Sequence, residues 1–320
     1  MSETRKMDFV LAGCPRSGTT AAAAYLRAVD SVYCAHEAFR MEEDHSTLDM
    51  PRDLIAALRE KTGDLIEKRE KNRVRRAYHG SYIDLEERVD QIRFYGNKTP
   101  HYIYRLDEIS QEIAQPRAIV SVREIEPVAI SYVRRAEDEK DRWKPGRTAT
   151  YAVGDLLVLL HVLGAMGGDD ALILPSRLLR DDWAGSLDAM VNFISPGLSY
   201  TVSDDAIAAL DDYKSERKRV LSDRTETLPA SEQEMVDLVK SAGFEDLFMR
   251  DRPFPLSEIK ADLDALLARL PDPLDYVEQS LKTHANPETT AFFRPWRRHA
   301  MAAMKRTTRA RKQAERQQAQ

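Results

Sequence analysis

The chain has few of the residues that build disulfide-rich or membrane-spanning proteins. Only two of its 320 residues are cysteines, Cys14 and Cys34, so a disulfide framework is not expected. No stretch reaches the ~18 consecutive apolar residues of a transmembrane helix. The segment Met1–Lys6 runs directly into an apolar strand and leaves no room for a signal peptide. These absences predict a protein of the cytoplasm.

The chain also lacks a strong excess of positive charge and any metal-ligand spacing. Its net charge is −5 at pH 7, which gives no indication of a nucleic-acid partner. No His, Cys, Asp or Glu spacing is typical of a metal site, so no metal is expected. The composition, 42% hydrophobic and 32% charged, is typical of a globular protein with a sizeable core.

A short polar loop between an apolar strand and an alanine-rich helix is the most informative stretch. Met7–Ala12 is almost entirely apolar, Gly13 and Gly18 bracket the loop, and helix-favouring residues follow. The first N–H groups of a helix have no intrahelical partner, and the helix dipole favours an anion beside them. The loop is therefore predicted to bind a phosphate group.

The residues of this loop favour one compact anion over a nucleoside triphosphate. The two glycines match the Walker A spacing, but Thr19 stands where that pattern has the lysine that reaches the terminal phosphates. The loop instead offers one cation and several hydroxyl groups, those of Arg16, Ser17, Thr19 and Thr20. A nucleotide kinase or phosphotransferase, which would bind ATP with magnesium, shares the strand–loop–helix arrangement and is the first alternative.

The sequence Pro15–Thr20 closely resembles the 5′-phosphosulfate-binding loop of sulfotransferases that use 3′-phosphoadenosine-5′-phosphosulfate (PAPS), in particular the bacterial and carbohydrate type. The resemblance implies a P-loop-like, three-layer α/β fold with a central parallel sheet over residues 1–196. It also implies that Arg16 contacts both the cofactor and the reacting group, and that the 5′-phosphate is held by Ser17, Gly18, Thr19 and Thr20. Residues 197–320 are predicted to form a helical C-terminal extension with a basic tail.

A second motif follows the apolar strand Arg117–Val122. Arg123 comes directly after this strand, and Ser131 lies eight residues later on a predicted helix. An arginine can form bidentate hydrogen bonds with a phosphate, to which the hydroxyl adds another. This spacing resembles the 3′-phosphate-binding motif of the same family, including Tyr132 after the serine. Because PAPS needs two anion sites, the two motifs together identify the chain as a member of the family.

A carboxylate follows the second predicted strand, Ser31–Ala35. Residues just past the carboxyl ends of parallel strands face the ligand crevice, and a carboxylate there can take a proton from an acceptor hydroxyl. Glu37, with Phe39 close behind it, looks like the proposed base of the bacterial and carbohydrate members. His36 is the alternative base.

Lys98 precedes a predicted helix start at Thr99–Pro100, near the end of the helix dipole that attracts anions. The family often has Gly-Glu-Lys-Thr-Pro here, with the lysine in the active site, which implies a catalytic role for Lys98. The chain departs from this pattern at Asn97, which replaces the glutamate. The role of that glutamate in relatives is therefore not transferred.

Two charged segments have more than one interpretation. Residues 51–76 are predicted to be helical, and their basic residues form either a solvated face or a landing surface for an anionic acceptor. The basic residues in question are Lys68, Arg69, Lys71, Arg73, Arg75 and Arg76. Residues 294–320 contain nine Lys/Arg and one Glu.

We expect this tail to be a solvated or partly disordered helix end. The alternative is contact with the 3′-phosphate, an anionic acceptor, a second subunit or a membrane surface. Its start is the part most suited to docking, since Arg294, Arg297 and Arg298 alternate there with Phe292, Phe293 and Trp296.

The predicted reaction is in-line transfer of a sulfuryl group from PAPS to an acceptor hydroxyl or amine. Glu37 would remove the acceptor proton, while Arg16 and Lys98 would offset charge developing on the sulfuryl and leaving-phosphate oxygens. The acceptor, a glycan or a small metabolite, stays open, as does assembly into a homo-oligomer, because acceptor pockets come from variable loops and helices. The second alternative is a noncatalytic nucleotide-binding protein that assembles through its basic tail.

Overall fold

A computed structural model describes residues 5–66, 85–138, 146–202, 227–284 and 287–318. These residues contain a six-stranded sheet with the strand order β2-β3-β1-β4-β5-β6. The strands are β1 (Phe9–Ala12), β2 (Val32–His36), β3 (Phe94–Lys98), β4 (Ala118–Val122), β5 (Ala171–Pro175) and β6 (Phe254–Pro255). Strands β1 to β5 run parallel, which confirms the predicted α/β fold with a central parallel sheet. The short β6 pairs antiparallel with β5 and has no counterpart in the sequence prediction.

The α-helices follow the strands in alternation and then dominate the C-terminal part. In chain order their bounds are α1 (Thr19–Arg27), α2 (Arg52–Ile66), α3 (Leu106–Glu112), α4 (Ile125–Glu137), α5 (Ala149–Ala165), α6 (Leu178–Asp181), α7 (Trp183–Ile194), α8 (Ala230–Ser241), α9 (Phe244–Phe248), α10 (Lys260–Leu267), α11 (Pro273–His284) and α12 (Pro287–Gln318). Among the described residues, no helix combines the length and the apolar character that crossing a membrane requires.

Strand β1 shows how the sheet separates two hydrophobic layers. Side chains alternate between the faces of a strand, and Phe9 and Leu11 pack in one layer while Val10 packs in the other. Helices α1 and α7 cover the first layer, and α3, α4 and α5 cover the second. This arrangement of helices on both faces of the sheet confirms the predicted three layers.

Helix α5 explains why the C-terminal helices pack against the α/β part. Almost the whole length of α5 is apolar and buried, so it needs cover on the side that faces away from the sheet. Helices α8, α10, α11 and α12 all contact it. Val277, Trp296 and Ala300 consequently belong to the same hydrophobic cluster as Val10. The boundary after residue 196 stays a prediction, and residues on both sides of it share this core.

Several element boundaries differ from those predicted. Helix α2 spans Arg52–Ile66, and the basic residues 68–76 lie outside the described residues. The helix predicted from Thr99–Pro100 is a 3-10 turn followed by α3, because Arg105 leaves helical geometry with φ of −138°. The polar residues 134–147 are predicted to form a connector, but helix α4 continues into them as far as Glu137.

Within the C-terminal extension, the sequence also predicts helices over residues 204–220 and 256–270. The predicted helix 256–270 is a 3-10 turn, Leu256–Ile259, followed by the shorter α10. The helix predicted for residues 204–220 lies outside the described residues.

The basic tail is a solvated helix end, as expected, only after Thr307, since most residues of 308–317 are exposed and the preceding part of the helix is packed on the core. Helix α12 buries Trp296, Ala300, Ala303 and Thr307 along one face, at the spacing of an amphipathic helix. Arg306 donates to both carboxylate oxygens of Asp107, at 3.3 and 3.2 Å. The tail is therefore docked against the core through its small and aromatic residues, while Arg294, Arg297 and Arg298 are exposed.

Candidate functional site

The predicted site residues lie along one edge of the sheet. Because β1 to β4 are parallel, their carboxyl ends meet at this edge, with β1 between β3 and β4. Glu37 follows β2, Lys98 ends β3, the glycine loop follows β1 and Arg123 follows β4. The strand order therefore places the loop between Lys98 on one side and Arg123 on the other.

The glycine loop packs closely against β4 at one end and against the residue after β5 at the other, so neither end has room for a side chain. A Cβ atom on Gly13 would lie 2.2 Å from the carbonyl oxygen of Ser121. Gly18 has φ of +96°, and a Cβ atom there would lie 2.8 Å from the Cβ of Ser176. The Ser121 hydroxyl also donates to the carbonyl of Ser17 at 2.6 Å. These contacts fix the path of the loop into α1.

The hydroxyl-bearing residues of the loop have different exposures. Ser17 and Thr19 are buried, whereas Thr20 is exposed. The Ser17 hydroxyl is a buried polar group with no hydrogen-bond partner among the described residues. Buried polar groups normally have hydrogen-bond partners. This hydroxyl, near the N-terminal end of α1, therefore suits an anionic ligand whose oxygen accepts a hydrogen bond from it.

The structure brings the two predicted phosphate motifs into direct contact. The Arg16 side chain donates from Nε to the hydroxyl of Ser131 at 2.7 Å. Arg123 donates from Nη1 to the backbone carbonyl of Arg16, with a longer distance of 3.4 Å. The guanidinium groups of Arg16 and Arg123 and the hydroxyl of Ser131 thus lie close together at the sheet edge. Ser131 is 115 residues from Arg16 in the chain.

Backbone geometry singles out two of the predicted residues. In the part of the chain that the structure describes, Arg16 (φ 75°) and Glu37 (φ 54°) are the non-glycine residues with positive φ. Left-handed backbone is unfavourable for residues with a Cβ atom and often occurs at functional sites. Each side chain is directed by this backbone geometry and by its contacts, Arg16 toward Ser131 and Glu37 toward Lys98.

Glu37, Lys98 and His36 form a compact group at the ends of β2 and β3. His36 and Lys98 are register partners on these strands. The Lys98 ammonium donates to the Glu37 carboxylate at 2.9 Å, and the His36 Nε2 lies 3.8 Å from the same carboxylate oxygen. The Lys98 side chain is 2% exposed and that of Glu37 is 41% exposed. A buried ammonium therefore holds a carboxylate that solvent and ligands can reach.

The charge states of this group follow from burial and from the ion pair. Burial alone would raise the pKa of Glu37, but the Lys98 ammonium lowers it below its ordinary value. Burial lowers the pKa of Lys98 in spite of the attraction to Glu37. Burial and the Lys98 charge lower the pKa of His36 to about 3, so the imidazole is neutral at pH 7. At that pH the ionised base candidate is Glu37.

Asn97 connects β3 to the backbone that follows Glu37. Its side-chain oxygen accepts from the N–H of Ala38 at 2.9 Å. Its amide nitrogen donates to the carbonyl of Phe39 at 3.4 Å and also to the hydroxyls of Thr99 and Tyr102. Asn97 is fully buried. The residue that departs from the family pattern thus holds the segment carrying Glu37 in place.

A cavity of about 560 Å³ opens beside Glu37. Its walls come from the segment after β2, from the turn after β3, from Lys61 of α2, from Arg147 and from α12. Glu37 lines the cavity, and so do the rings of Phe39, Tyr104, Phe292 and Trp296. Helix α12 lies far from the phosphate motifs in sequence, yet it forms one wall of the cavity that Glu37 lines.

The wall of the cavity is supported by a buried carboxylate that sequence analysis missed. Asp155, fully buried on α5, accepts from Arg147 at 3.0 Å and from the indole nitrogen of Trp296 at 2.9 Å. The hydroxyls of Tyr104 and Tyr132 donate to it as well. Burial, followed by the Asp155 charge, raises the pKa of both tyrosines well above the ordinary value, so they remain donors.

His101 extends this group to the cavity surface. Arg147 Nη1 lies 3.2 Å from His101 Nε2, and because a guanidinium only donates, that nitrogen accepts and the proton is on Nδ1. Burial and the Arg147 charge lower the pKa of His101 to about 4. Among the described residues, no cluster of three or more His, Cys, Asp and Glu side chains is placed to hold a metal ion.

One of the missed residues had a signal in the sequence. Asp155 is the sole acidic residue in the otherwise apolar stretch 149–166, and a buried charge requires partners. For Arg147 and His101, the neighbouring sequence does not indicate that the two side chains meet on the surface of a cavity.

A family profile and a solved structure show similarity to this chain. The profile of the sulfotransferase family matches residues 8–180. Among solved structures, the sulfotransferase domain from the Synechococcus PCC 7002 olefin synthase is similar, with 17% identity and a TM-score of 0.40, covering 74% of this chain and 96% of that domain. Among curated protein sequences, none matches this chain.

Proposed function

The chain belongs to the sulfotransferase family, and on that premise we propose that it transfers a sulfuryl group from PAPS to an acceptor hydroxyl, with Glu37 as the base. The observation that carries the proposal is the contact of Arg16 with Ser131 and of Arg123 with the loop backbone. It supports a single nucleotide site with positive charge for two separate phosphates. Bound PAPS would supply the sulfuryl group.

The residues around the loop suit the two ends of this nucleotide. At the 5′ end, Ser17, Gly18, Thr19 and Thr20 offer hydroxyl and backbone N–H groups, of which the buried Ser17 hydroxyl has no partner among the described residues. At the 3′ end, Arg123 and Ser131 would bind the second phosphate through charge-assisted hydrogen bonds. Arg16 lies between them and would contact the sulfuryl oxygens as they gain charge.

Glu37 is a better base than His36. Its carboxylate lines the cavity, is partly exposed and remains ionised at neutral pH, whereas His36 is not among the lining residues. As the acceptor oxygen bonds to sulfur and the bond from sulfur to the phosphate oxygen breaks, the acceptor proton becomes acidic and passes to Glu37. Lys98 stays beside Glu37 and offsets negative charge on the transferring group.

Thermal unfolding with nucleotides tests the proposal. The full chain is measured with adenosine 3′,5′-bisphosphate, with 5′-AMP and with ATP plus magnesium. A ligand at ~100 times its dissociation constant stabilises a fold by about 2.7 kcal/mol, which raises the unfolding temperature by several degrees. We expect this shift from the bisphosphate alone.

Two arginine variants make the test specific to the site. Arg123→Ala should abolish the shift, while Arg269→Ala should leave it intact, because it removes an exposed arginine that follows α10 and donates from Nε to the carbonyl of Ala265. Stabilisation by ATP with magnesium and not by the bisphosphate would contradict the proposal and favour a phosphotransferase.

A further inference from the structure

The cavity beside Glu37 has aromatic side chains in its lining, nearly balanced charge, and one wall formed by helix α12. We propose that it is the acceptor site and that it takes one small, uncharged alcohol or phenol with an apolar ring-bearing body, not a glycan chain. This inference rests on the proposed function, because it assumes that the hydroxyl to be sulfated is placed at Glu37. It adds the acceptor class to that function.

The size of the cavity matches one small molecule. Its volume of about 560 Å³ lies in the range of roughly 300–1,000 Å³ found for small-ligand pockets. Glu37 is part of its lining, so a ligand that fills the cavity can place a hydroxyl at the carboxylate. An oligosaccharide would have to extend beyond these walls.

The walls next to Glu37 are mainly apolar. Phe39, Tyr104 and Trp296 line the cavity but are almost fully buried, so the half-buried ring of Phe292 offers the larger apolar surface to a ligand. A sugar would bury several hydroxyls, each of which needs a hydrogen-bond partner. The polar groups deepest in the cavity already have strong partners, since Arg147 binds Asp155.

The charges that line the cavity do not favour a charged acceptor. Arg147 is neutralised by Asp155 at 3.0 Å, and Glu37 by Lys98 at 2.9 Å. Arg40 and Lys61 also line the cavity, and with the carboxylate of Glu42 in the same lining they leave only a small positive excess. A polyanionic glycan is normally bound by a large excess of cations, and an ammonium would require an unpaired carboxylate. An uncharged acceptor fits best.

The wall formed by α12 is fixed, so the cavity does not widen into a groove for a polymer. The indole of Trp296 donates to the buried Asp155 at 2.9 Å. Two turns or more further along the same helix, Arg306 binds Asp107. Opening this wall would break a buried hydrogen bond and expose the apolar face of α12. The site is therefore preformed around its acceptor.

A set of matched phenols tests the acceptor class. The probes are 4-ethylphenol, tyramine and 4-hydroxyphenylacetate, which share a phenol ring and differ in charge, together with chitotetraose as a neutral glycan. Binding to the full chain in the presence of adenosine 3′,5′-bisphosphate is measured by calorimetry, and transfer is measured with PAPS. We expect 4-ethylphenol to bind at least tenfold more tightly than each of the other three and to be sulfated.

Two phenylalanine variants on α12 locate the binding site. Phe292 lines the cavity, whereas Phe293, its equally half-buried neighbour, is not among the lining residues and stacks on Trp296. Phe292→Ala should raise the KM for 4-ethylphenol about tenfold, Phe293→Ala should change it less than twofold, and neither should alter bisphosphate affinity. The unfolding temperature of each variant separates lost contact from lost stability.

The outcomes distinguish this inference from the proposed function. Preferred binding of chitotetraose or of a charged phenol, no binding of 4-ethylphenol, or equal effects of the two phenylalanine variants would overturn the acceptor class while leaving bisphosphate binding intact. Loss of bisphosphate binding by the unmodified chain would instead overturn the proposed function itself.

Discussion

The nucleotide half and the acceptor half of the candidate site are built in different ways. On the nucleotide side, a loop backbone and a few side chains follow the ends of β1 and β4, with Gly13 and Gly18 fixing the path of the chain. On the acceptor side, the wall consists of side chains from distant parts of the chain, such as Phe39 and Trp296. The first half depends on local backbone geometry and the second on a buried network.

Because of this difference, different substitutions should impair each half. A change in the loop should impair nucleotide binding and leave the cavity unchanged, whereas a change in the Asp155 network should loosen the cavity wall and the core together. Glu37 and Lys98 lie where the halves meet. Variants that impair one half selectively would support this division of the site, and variants that impair both halves equally would contradict it.

The largest effect should come from Glu37 itself. Glu37→Gln keeps the size of the side chain but removes the proposed base, and general-base catalysis contributes about 10²–10⁴-fold. We expect kcat for sulfuryl transfer to fall about 10³-fold, with bisphosphate affinity unchanged within about threefold. His36→Asn is the matched control and should retain most of the activity. A larger loss in the His36 variant would reverse the assignment of the base.

The pH profile gives an independent check on the base. The pKa of Glu37 is lowered from its ordinary value of 4.5, so the ionised form is present above pH 4.5 and is lost only as the pH falls below it. We expect kcat to show no acid limb between pH 5 and 7. A limb in that interval, which is lost in His36→Asn, would indicate a histidine base.

The Asp155 network should be the most stabilising part of the acceptor half. Asp155→Asn leaves the buried guanidinium of Arg147 without its counter-charge, and breaking a buried ion pair costs about 3–5 kcal/mol. Urea unfolding should report this loss. Glu278→Gln, which breaks the exposed pair with Lys282, is the control and should cost less than about 1 kcal/mol. Equal losses in the two variants would show that Asp155 does not support the wall.

The contrast between the halves also explains what the sequence could predict. Three of the five parallel strands, β1, β2 and β4, could be predicted because each is a short apolar run, and Arg16 and Arg123 became candidates because each follows one of these runs in a short motif. The polar end of β3, Gly96–Lys98, has no such pattern. The two-residue strand β6 is too short to have a pattern of its own. These predictions needed no knowledge of tertiary contacts.

The acceptor half could not be predicted in the same way. Arg147 meets His101 and Asp155 only after α5 has packed on the sheet, and Trp296 joins them from a helix more than 100 residues later. The basic composition of the tail indicated a solvated helix, but the buried face of α12 has small residues, Ala300 and Ala303, whose apolar character is easily outweighed by the many charges around them. Packing determined the position of this helix.

The glycine loop should be the most sensitive part of the nucleotide half. Gly18→Ala adds a Cβ atom to a residue with φ of +96°, 2.8 Å from Ser176, and we expect a loss of about 1–3 kcal/mol in stability. Bisphosphate affinity should fall at least tenfold because the loop must shift. Gly197→Ala is the control, since its φ is +75° but a Cβ atom would meet nothing within 4 Å. It should cost only the backbone strain, with unchanged affinity.

The smallest effect on kcat should come from Asn97, which holds the segment carrying Glu37 and is not among the residues that line the cavity. Asn97→Ala leaves the buried N–H of Ala38 without its partner, whereas the carbonyl of Phe39 still accepts from the Thr99 hydroxyl at 3.2 Å. We therefore expect a stability loss of about 1–3 kcal/mol. Because the left-handed backbone at Glu37 is then less restrained, kcat should fall about tenfold while the affinity for bisphosphate is retained.

Asn192→Ala provides the control for this change, since Asn192 accepts from Gly197 in an exposed position. It should alter stability and kcat little. If Asn97→Ala lowered bisphosphate affinity as much as kcat, Asn97 would support the nucleotide half as well, and the division of the site at Glu37 and Lys98 would be wrong. An unchanged kcat would instead show that the Lys98 ion pair alone holds the carboxylate in place.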